Sequence, residues 1–449
     1  MKRVVWFRRD LRVEDNPLLG FPGEVLPIFI FDTHILNKLK PTDRRVGFIY
    51  DALLKLKTDL QQIGLDLKIF YGNPVEIFTH LVSFGFDEVI ASGDYDSYAK
   101  ERDKEVSHVI DFRYLQDTYI FRHDDVLKKD CTPYLVFTPF YKRALEVLKT
   151  KNLTNITQAK HSLYKADYTG ITIFKDGVAT SADLDIKNIG FNPPQENFLS
   201  PITKLHAIKE KLKSYAHDRD YPRIDATSNL AIDLRFGTIG VRQILRFIEG
   251  LEGSEPFLRQ LIFRDFYSYL LFHFPTLEEN NYKYNFAGIP DEEKFARFTS
   301  ATTGVPIVDA GIRELLAYGT MHNRIRMVVA SFFTKDLLLP WQWGESFFAE
   351  HLLDFDKASN VLSWQWSAGT GIDPQPYFRV FNPYLQSKKF DSEGIYIKKY
   401  IPELASVTSK YLHDEIYLLT HAIDGYPKPM VNHKIAAQKA ISIFKTGQV

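Results

Sequence analysis

Cysteine is almost missing: Cys131 is the single one in 449 residues. One thiol makes no intrachain disulfide and no cysteine-ligated metal cluster, so a reducing compartment, the cytoplasm, is the expected location. Long apolar runs are scarce as well. The longest, around "MVVASFF", is cut by Lys335 and Asp336, so no membrane span and no membrane partner are expected. The N-terminus, "MKRVVWFRRDLR", turns charged after a short apolar run and does not read as a secretion signal. Net charge is absent, with 56 Lys+Arg against 56 Asp+Glu. Residues 1–130 hold 19 basic against 22 acidic side chains, and the remainder 37 against 34. Nucleic acid, if bound, must then be held by a local basic rim and not by a global field. Neither G-x-G-x-x-G after the first strand-like run nor G-x-x-x-x-G-K-[ST] occurs, which removes the usual nicotinamide and Walker fingerprints.

What is present has two characters, as the length of the chain suggests. The apolar share of 45% and charged share of 25% are ordinary for a globular protein. Aromatics are richer, at 14%, which suits either a bulky core or an aromatic-lined cavity. In residues 1–130 the runs "VVWF", "VLPIFIF", "LDLKIFYG" and "DEVIAS" read as strands, with "VIDFRYL" or "DTYIF" as a fifth. Val46, Ile49, Leu53, Leu56, Leu60 and Ile63 recur at three and four, which predicts an amphipathic helix over 44–63. Strands alternating with helices predict a parallel, Rossmann-like sheet with right-handed crossovers. Residues 131–196 are polar and broken by Gly and Pro, a connector. From 197 to 449 the pattern is helical, as in "PFLRQLIFRDFYSYLLFHF" and "RIRMVVASFFTKDLLL". The expected fold is α/β followed by all-α.

Four stretches of the helical half could carry chemistry. "TSNLAIDLRFGTIG" sets Thr227 and Ser228 before an apolar run, which suits either a phosphate at a helix start or a plain N-cap. "MHNRIRMVVASFF" places Asn323, Arg324 and Arg326 on one helix, and arginines entering an apolar run need partners. "LLDFDKASNVLSWQW" offers Asp354, Asp356 and Asn360 as candidates. Four of the five tryptophans fall in two W-Q-W triplets, at 341–343 and 364–366. They are either core packing or a file of readily oxidised rings leading from a redox cofactor.

These residues also carry a resemblance. "WFRRDLRVEDNPLL", "TGVPIVDAGIRELLAYGTMHNRIRMVVASFFTKDLLLPWQWGE" and "NVLSWQWSAGTGIDPQPYFRVFNPYLQSKKFD" resemble the photolyase/cryptochrome flavoprotein family over nearly the whole chain. "NRIRM" is similar to the branch that repairs cyclobutane pyrimidine dimers. The resemblance implies a helical domain that binds FAD. Tyr215, Thr227, Ser228, Leu230, Arg264 and Asn323 would lie around the cofactor. Arg326 and Asp354 would pair against its ring system, Asp356 would sit on its polar edge, and Asn360 would face flavin N5. Trp364 and Trp341 would begin a photoreduction chain. Damaged DNA would be the partner of a monomer. Arg219, Arg324 and Arg379 would take its phosphates, and Gln260, Phe263, Met327 and Trp366 would line the pocket for a flipped pyrimidine dimer.

The pattern departs from the family in places. Gln260 stands where dimer photolyases carry Glu, and Phe263 and Thr320 where many carry Trp. Around 280–298 there are Tyr282, Tyr284, Phe286, Phe295 and Phe298, but no third Trp for the chain. A second, antenna chromophore (deazaflavin, FMN or folate) is left open. Asp94, Tyr98, Arg102 and Asp103 resemble deazaflavin- or FMN-binding members, and a polar helix start is the plain alternative. Two further functions therefore stand beside dimer repair: a cryptochrome-type photosensor and a (6-4) photolyase.

Overall fold

The computed structural model describes residues 2–156, 161–163, 185–284 and 288–446, with 161–163 as backbone only. Much of the expected connector, and Phe286, lie outside the described residues. The strands are β1 (Lys2–Phe7), β2 (Gly23–Asp32), β3 (Lys68–Gly72), β4 (Glu88–Ser92), β5 (Asp111–Leu115) and β6 (His161–Leu163). The principal helices are α1 (Arg44–Gln62), α2 (Pro74–Ser83), α3 (Ser97–Ser107), α4 (Phe137–Leu148), α5 (Pro201–Asp218), α6 (Ala231–Phe236) and α7 (Val241–Ile248). They continue with α8 (Glu255–His273), α9 (Pro306–Tyr318), α10 (Asn323–Ser331), α11 (Trp341–His351), α12 (Lys357–Ala368) and α13 (His433–Thr446). No helix among the described residues is long and apolar enough to cross a membrane.

Two compact units divide the chain. The first comprises Met1–Val126, Arg143–Glu210 and Ser228–Ser254; the second comprises Leu127–Lys142, Lys211–Thr227 and Glu255–Val449. These units interleave in sequence, unlike the three consecutive blocks expected from composition. The expected connector also contains a regular helix, α4.

In the first unit the sheet order is β3-β2-β1-β4-β5, all parallel, and β6 pairs with β2. The fifth strand is "DFRYL"; "DTYIF" is irregular. Val4, Val5, Phe7, Ile28 and Val89 are fully or almost fully buried, as parallel strands covered on both faces require. The helix α1 forms as its spacing predicts. Asp43 caps it, and Val46, Leu53, Leu56 and Leu60 are buried. The segment after β1, "RRDLRVED", is held by charge: Arg246 Nη2 lies 3.0 Å from Asp15 Oδ2, and Arg12 Nη2 lies 2.9 Å from Asp117 Oδ1.

The second unit is helical; among its described residues there is no named strand. Its aromatic residues mostly make core. Phe266, Phe298, Phe332 and Phe333 are at most 1% exposed.

Gly237 closes α6 with φ +67°, and a Cβ there would lie 2.0 Å from Arg9 O and 2.5 Å from Asp10 Cα. Gly250 has φ +71° with nothing within 4 Å. Gly250→Ala should bear only the dihedral cost, about 1–3 kcal/mol. Gly237→Ala must also displace backbone and should destabilise more. Thermal melts of both variants check this, and equal losses would contradict the packing described.

Candidate functional site

Helix α12 organises the second unit's polar interior. Asp356 begins it, its Oδ1 accepting from Ser359 N at 3.1 Å, and Gly369 ends it in the left-handed region at φ +82°. Between these ends, Asn360 and Trp364 stand four residues apart and so share a side of the helix. Both are buried, whereas Trp366, two positions further round, is half-buried.

Asn360 is fixed from α11. Its Nδ2 donates to Glu345 O at 3.0 Å and to Glu345 Oε1 at 2.9 Å. Two acceptors on the amide nitrogen set the orientation of the group, so its carbonyl oxygen is the atom left for another donor. Burial pushes the Glu345 carboxyl above its usual range, and the bond from Asn360 draws it partly back. Glu345 was not foreseen from the sequence. Its four-residue spacing from Trp341 on one helix was the available signal.

The helix α10 supplies the charge. His322 caps it, with Nδ1 accepting from Arg324 N at 3.2 Å. Arg326 donates from Nη2 to both oxygens of Asp354, at 3.1 and 3.0 Å, and from Nε to Met321 O at 2.7 Å. Arg324 takes a different carboxylate, Asp220, at 2.7 Å, and lies over the Phe390 ring at 4.4 Å. Asp220 was also missed. The half-exposed pairing of Arg326 with Asp354 leaves the arginine's charge nearly balanced on the spot. Burial holds the His322 imidazole down to about 4, and its Nε2 has no hydrogen-bond partner among the described residues.

The tryptophans separate. Trp364 is 1% exposed and meets Phe348 and Phe333 edge-on at 5.0 and 5.3 Å. Trp341 is 3% exposed, and its Nε1 donates to Asn281 Oδ1 at 2.8 Å. Trp343 is half-buried against Phe295 at 5.2 Å.

Helix α8 carries Gln260, Phe263 and Arg264, all half-buried. Phe263 packs on Phe137 at 4.2 Å and against Tyr267 at 4.9 Å. The Gln260 side chain makes no hydrogen bond among the described residues. Arg219 lies over the buried Tyr215 ring at 5.5 Å. Asn323 Nδ2 sits 3.8 Å from Met327 Sδ. Arg379 is exposed, in a turn closed by its own N–H to Pro376 O at 2.9 Å, and has no carboxylate partner among the described residues.

Of the expected phosphate-side residues, Thr227 belongs to the second unit, and Ser228 and Leu230 to the first. The helix they were expected to open begins only at Ala231. Asn229 takes a left-handed φ of +54°, which stops the helix from starting earlier. Ser228 Oγ accepts from Leu230 N at 3.3 Å within that turn.

In the first unit the strand order reverses between β1 and β4, the place where open parallel sheets bind ligands. The side chains expected for a second chromophore meet there in pairs. Arg8 donates to both oxygens of Asp103 at 2.6 and 2.8 Å, Arg102 reaches the same carboxylate at 2.8 Å, and Arg9 meets Asp94 at 2.9 Å. Tyr98 donates to Asp32 Oδ2 at 2.6 Å and stacks on His34 at 4.4 Å.

The donor set of the second unit fits a flavin. A fixed amide carbonyl at Asn360 can accept from a ring N–H, and the cation of Arg326 can meet an anionic ring edge. Comparison with known proteins agrees. The model for the FAD binding domain of DNA photolyase matches residues 257–446, and that for DNA photolyase matches residues 3–159. The deoxyribodipyrimidine photo-lyase of Alkalihalophilus pseudofirmus is 34% identical over 99% of this chain and 98% of its own length. That of Synechococcus is 33% identical over 98% and 96%. A class III photolyase from Agrobacterium tumefaciens superimposes with a TM-score of 0.85 at 30% identity, covering 99% of this chain and 97% of that one. An archaeal photolyase from Sulfolobus tokodaii, solved with two FAD molecules, gives 0.82 at 29%, covering 99% and 100%. A parallel α/β unit with a helical flavin-binding unit defines the class of two-part flavoproteins. Within that class, the chain belongs to the DNA photolyase family.

Arg326→Ala would leave the Asp354 carboxylate unpaired, a loss of about 1–3 kcal/mol, or roughly five- to 150-fold in cofactor affinity. Purified variant protein should show a correspondingly low ratio of flavin to protein absorbance; parental occupancy would contradict the assignment. A second expectation comes from His322. Between pH 6.5 and about 4 the unfolded chain takes up the imidazole proton before the folded one does, so acidification across that window costs stability. His322→Gln should flatten the fall, as denaturant midpoints at stepped pH would show.

Proposed function

We propose that this chain is a blue-light-driven DNA repair enzyme, a deoxyribodipyrimidine photo-lyase that opens cyclobutane pyrimidine dimers with FAD as cofactor. The observation that carries the reading is the Asn360 amide, held by Glu345 so that only its carbonyl faces onward. An acceptor there suits a reduced flavin, whose N5 bears a hydrogen, and offers no acidic proton. Reduced FAD, when bound, supplies the electron that opens the dimer under blue light and takes it back afterwards.

The chain's own residues hold and orient. Arg326 and Asp354 set a neutral charged edge beside the ring system, with Asn323, Arg264, Tyr215, Thr227 and Asp356 completing the cofactor's surroundings within the helical unit. Trp364 and Trp341 restore the reduced cofactor. Gln260, Phe263, Met327 and Trp366 form the lesion pocket. The exposed Arg379, with Arg219 and Arg324, binds phosphate and fixes the strand without reading bases. Gln260 bonds a pyrimidine edge without the charge assistance of a carboxylate. Phe263 offers a smaller stacking surface than tryptophan, and stacking contributes about 1–3 kcal/mol per base. A second chromophore at the sheet's switch point would exchange its own contacts for the Arg8–Asp103 and Tyr98–Asp32 pairs. The single cysteine supports a location in the reducing cytoplasm.

The photosensor reading draws on the departures at Gln260 and Phe263, and the fold shared with a Synechocystis cryptochrome, at a TM-score of 0.85 and 23% identity, adds nothing to it. Similarity at that level speaks for fold alone.

Single-turnover repair separates these. Chemically reduced protein, mixed with a dimer-containing oligonucleotide and illuminated, should restore thymine absorbance. Trp364→Phe should keep that repair while abolishing photoreduction of the oxidised cofactor. Phe263→Trp should preserve or tighten binding of the dimer, because it enlarges the stacking face. Absence of any splitting by the fully reduced parent would leave the photosensor reading in its place.

A further inference from the structure

Lys335 interrupts the longest apolar run of the chain, and nothing in the repair reading uses it. Its side chain is not turned out to water: the residue is 1% exposed. The backbone explains the placement. Phe332–Asp336 is a π-helical turn, in which Leu337 N–H reaches back to Phe332 O at 3.0 Å. Such single turns insert one extra residue, rotate the chain beyond them, and concentrate at functional positions.

The ammonium meets no carboxylate among the described residues. Its neighbour Asp336 is turned to His433 Nδ1 at 2.5 Å. Lys335 Nζ instead donates to Ala368 O at 2.7 Å, the last carbonyl of α12, and sits 3.6 Å from the centre of the Phe444 ring. The negative end of a helix and an aromatic face are both places where a cation is favoured. Burial without a counter-ion still pulls its pKa down to about 7. A charge kept in such a place is poorly explained by stability, since a hydrophobic side chain of similar volume would fill it at lower cost.

What surrounds the ammonium is the support of an exposed turn. A Cβ on Gly369 would lie 3.2 Å from Lys335 Nζ, 3.5 Å from Gln375 O and 3.6 Å from Tyr377 Cα, so these groups share one small volume. Phe444, near the end of α13, stacks on Tyr377 at 6.1 Å with ring planes 11° apart, and Tyr284 meets both rings edge-on at 5.8 Å. Tyr377 leads directly into Phe378, which is 60% exposed, and Arg379. Gln375 Nε2 donates to Arg379 O at 2.6 Å across the same turn.

We propose that Lys335 is a positioning residue for DNA binding, pinning the end of α12 and the C-terminal helix α13 together beneath the turn 376–379 so that Phe378 and Arg379 are presented in one geometry. The proposal rests on the reading of Arg379 as a phosphate contact. Lys335→Met keeps the volume and removes the charge and the bond to Ala368. It should weaken affinity for a dimer-containing duplex about tenfold, the worth of one hydrogen bond to a charged group. Flavin content, photoreduction through Trp364 and the single-turnover repair rate at saturating DNA should stay at parental values, a split that general loosening of the unit would not give. Should Lys335→Met fail to fold, Phe444→Leu removes the other side of the ammonium's site and the stack on Tyr377, and the same split is expected. Unchanged affinity, or a repair rate that falls at saturating DNA, would overturn the proposal. Parental protein that binds no DNA would instead sink the function reading, and this inference with it.

Discussion

Helices α11 and α12 approach so closely that Gly344 has no room for a side chain: a Cβ there would lie 2.2 Å from the Trp364 ring. Most of the candidate site depends on that contact. Because the helices touch, Glu345, the next residue, reaches Asn360 with both its backbone and its side-chain oxygen. Trp364 is enclosed by Phe348 from α11 and by Phe333 from the π-helical turn. A bulkier residue at 344 would push the helices apart, and the amide of Asn360 would lose its fixed orientation along with the enclosure of the indole.

The two units handle charge differently. Around β1 and β4 of the first, buried arginines meet buried aspartates in closed pairs, Arg8 with Asp103 and Arg12 with Asp117. Breaking such a pair would be costly, and of the buried atoms in these groups only Asp117 Oδ2 is left without a hydrogen bond among the described residues. The second unit is less complete. The Gln260 amide makes no hydrogen bond and Arg379 no ion pair among the described residues, and His322 Nε2 stays unsatisfied. Polar groups left incomplete in a well-packed helical unit are where strand, base and cofactor can be accommodated at little cost to the fold.

Much of this was legible in the sequence, for physical reasons that differ by element. The strands read clearly because parallel strands are buried on both faces and show as unbroken apolar runs. Helix α1 read clearly because its apolar stripe keeps helical spacing. That the arginines of α10 need polar partners was legible because they enter an apolar run, whereas the particular pairing of Arg326 with Asp354 was implied only by the family resemblance. Helix α4 was not read because a polar stretch follows it and the wider segment is broken by Gly and Pro. The start of α6 was displaced by the left-handed Asn229, a backbone choice that residue type only permits. Glu345 and Asp220 were hidden because their partners stand 15 and 104 residues away, a matter of packing that periodicity does not carry.

The central claim is that an excited reduced flavin in the helical unit passes its electron to a bound pyrimidine dimer. The fluorescence lifetime of the reduced cofactor, measured with saturating duplex, tests this directly. The account predicts a shortened lifetime when the duplex contains a dimer and an unchanged one when it does not. Equal lifetimes on the two duplexes, with both shown to be bound, would contradict it.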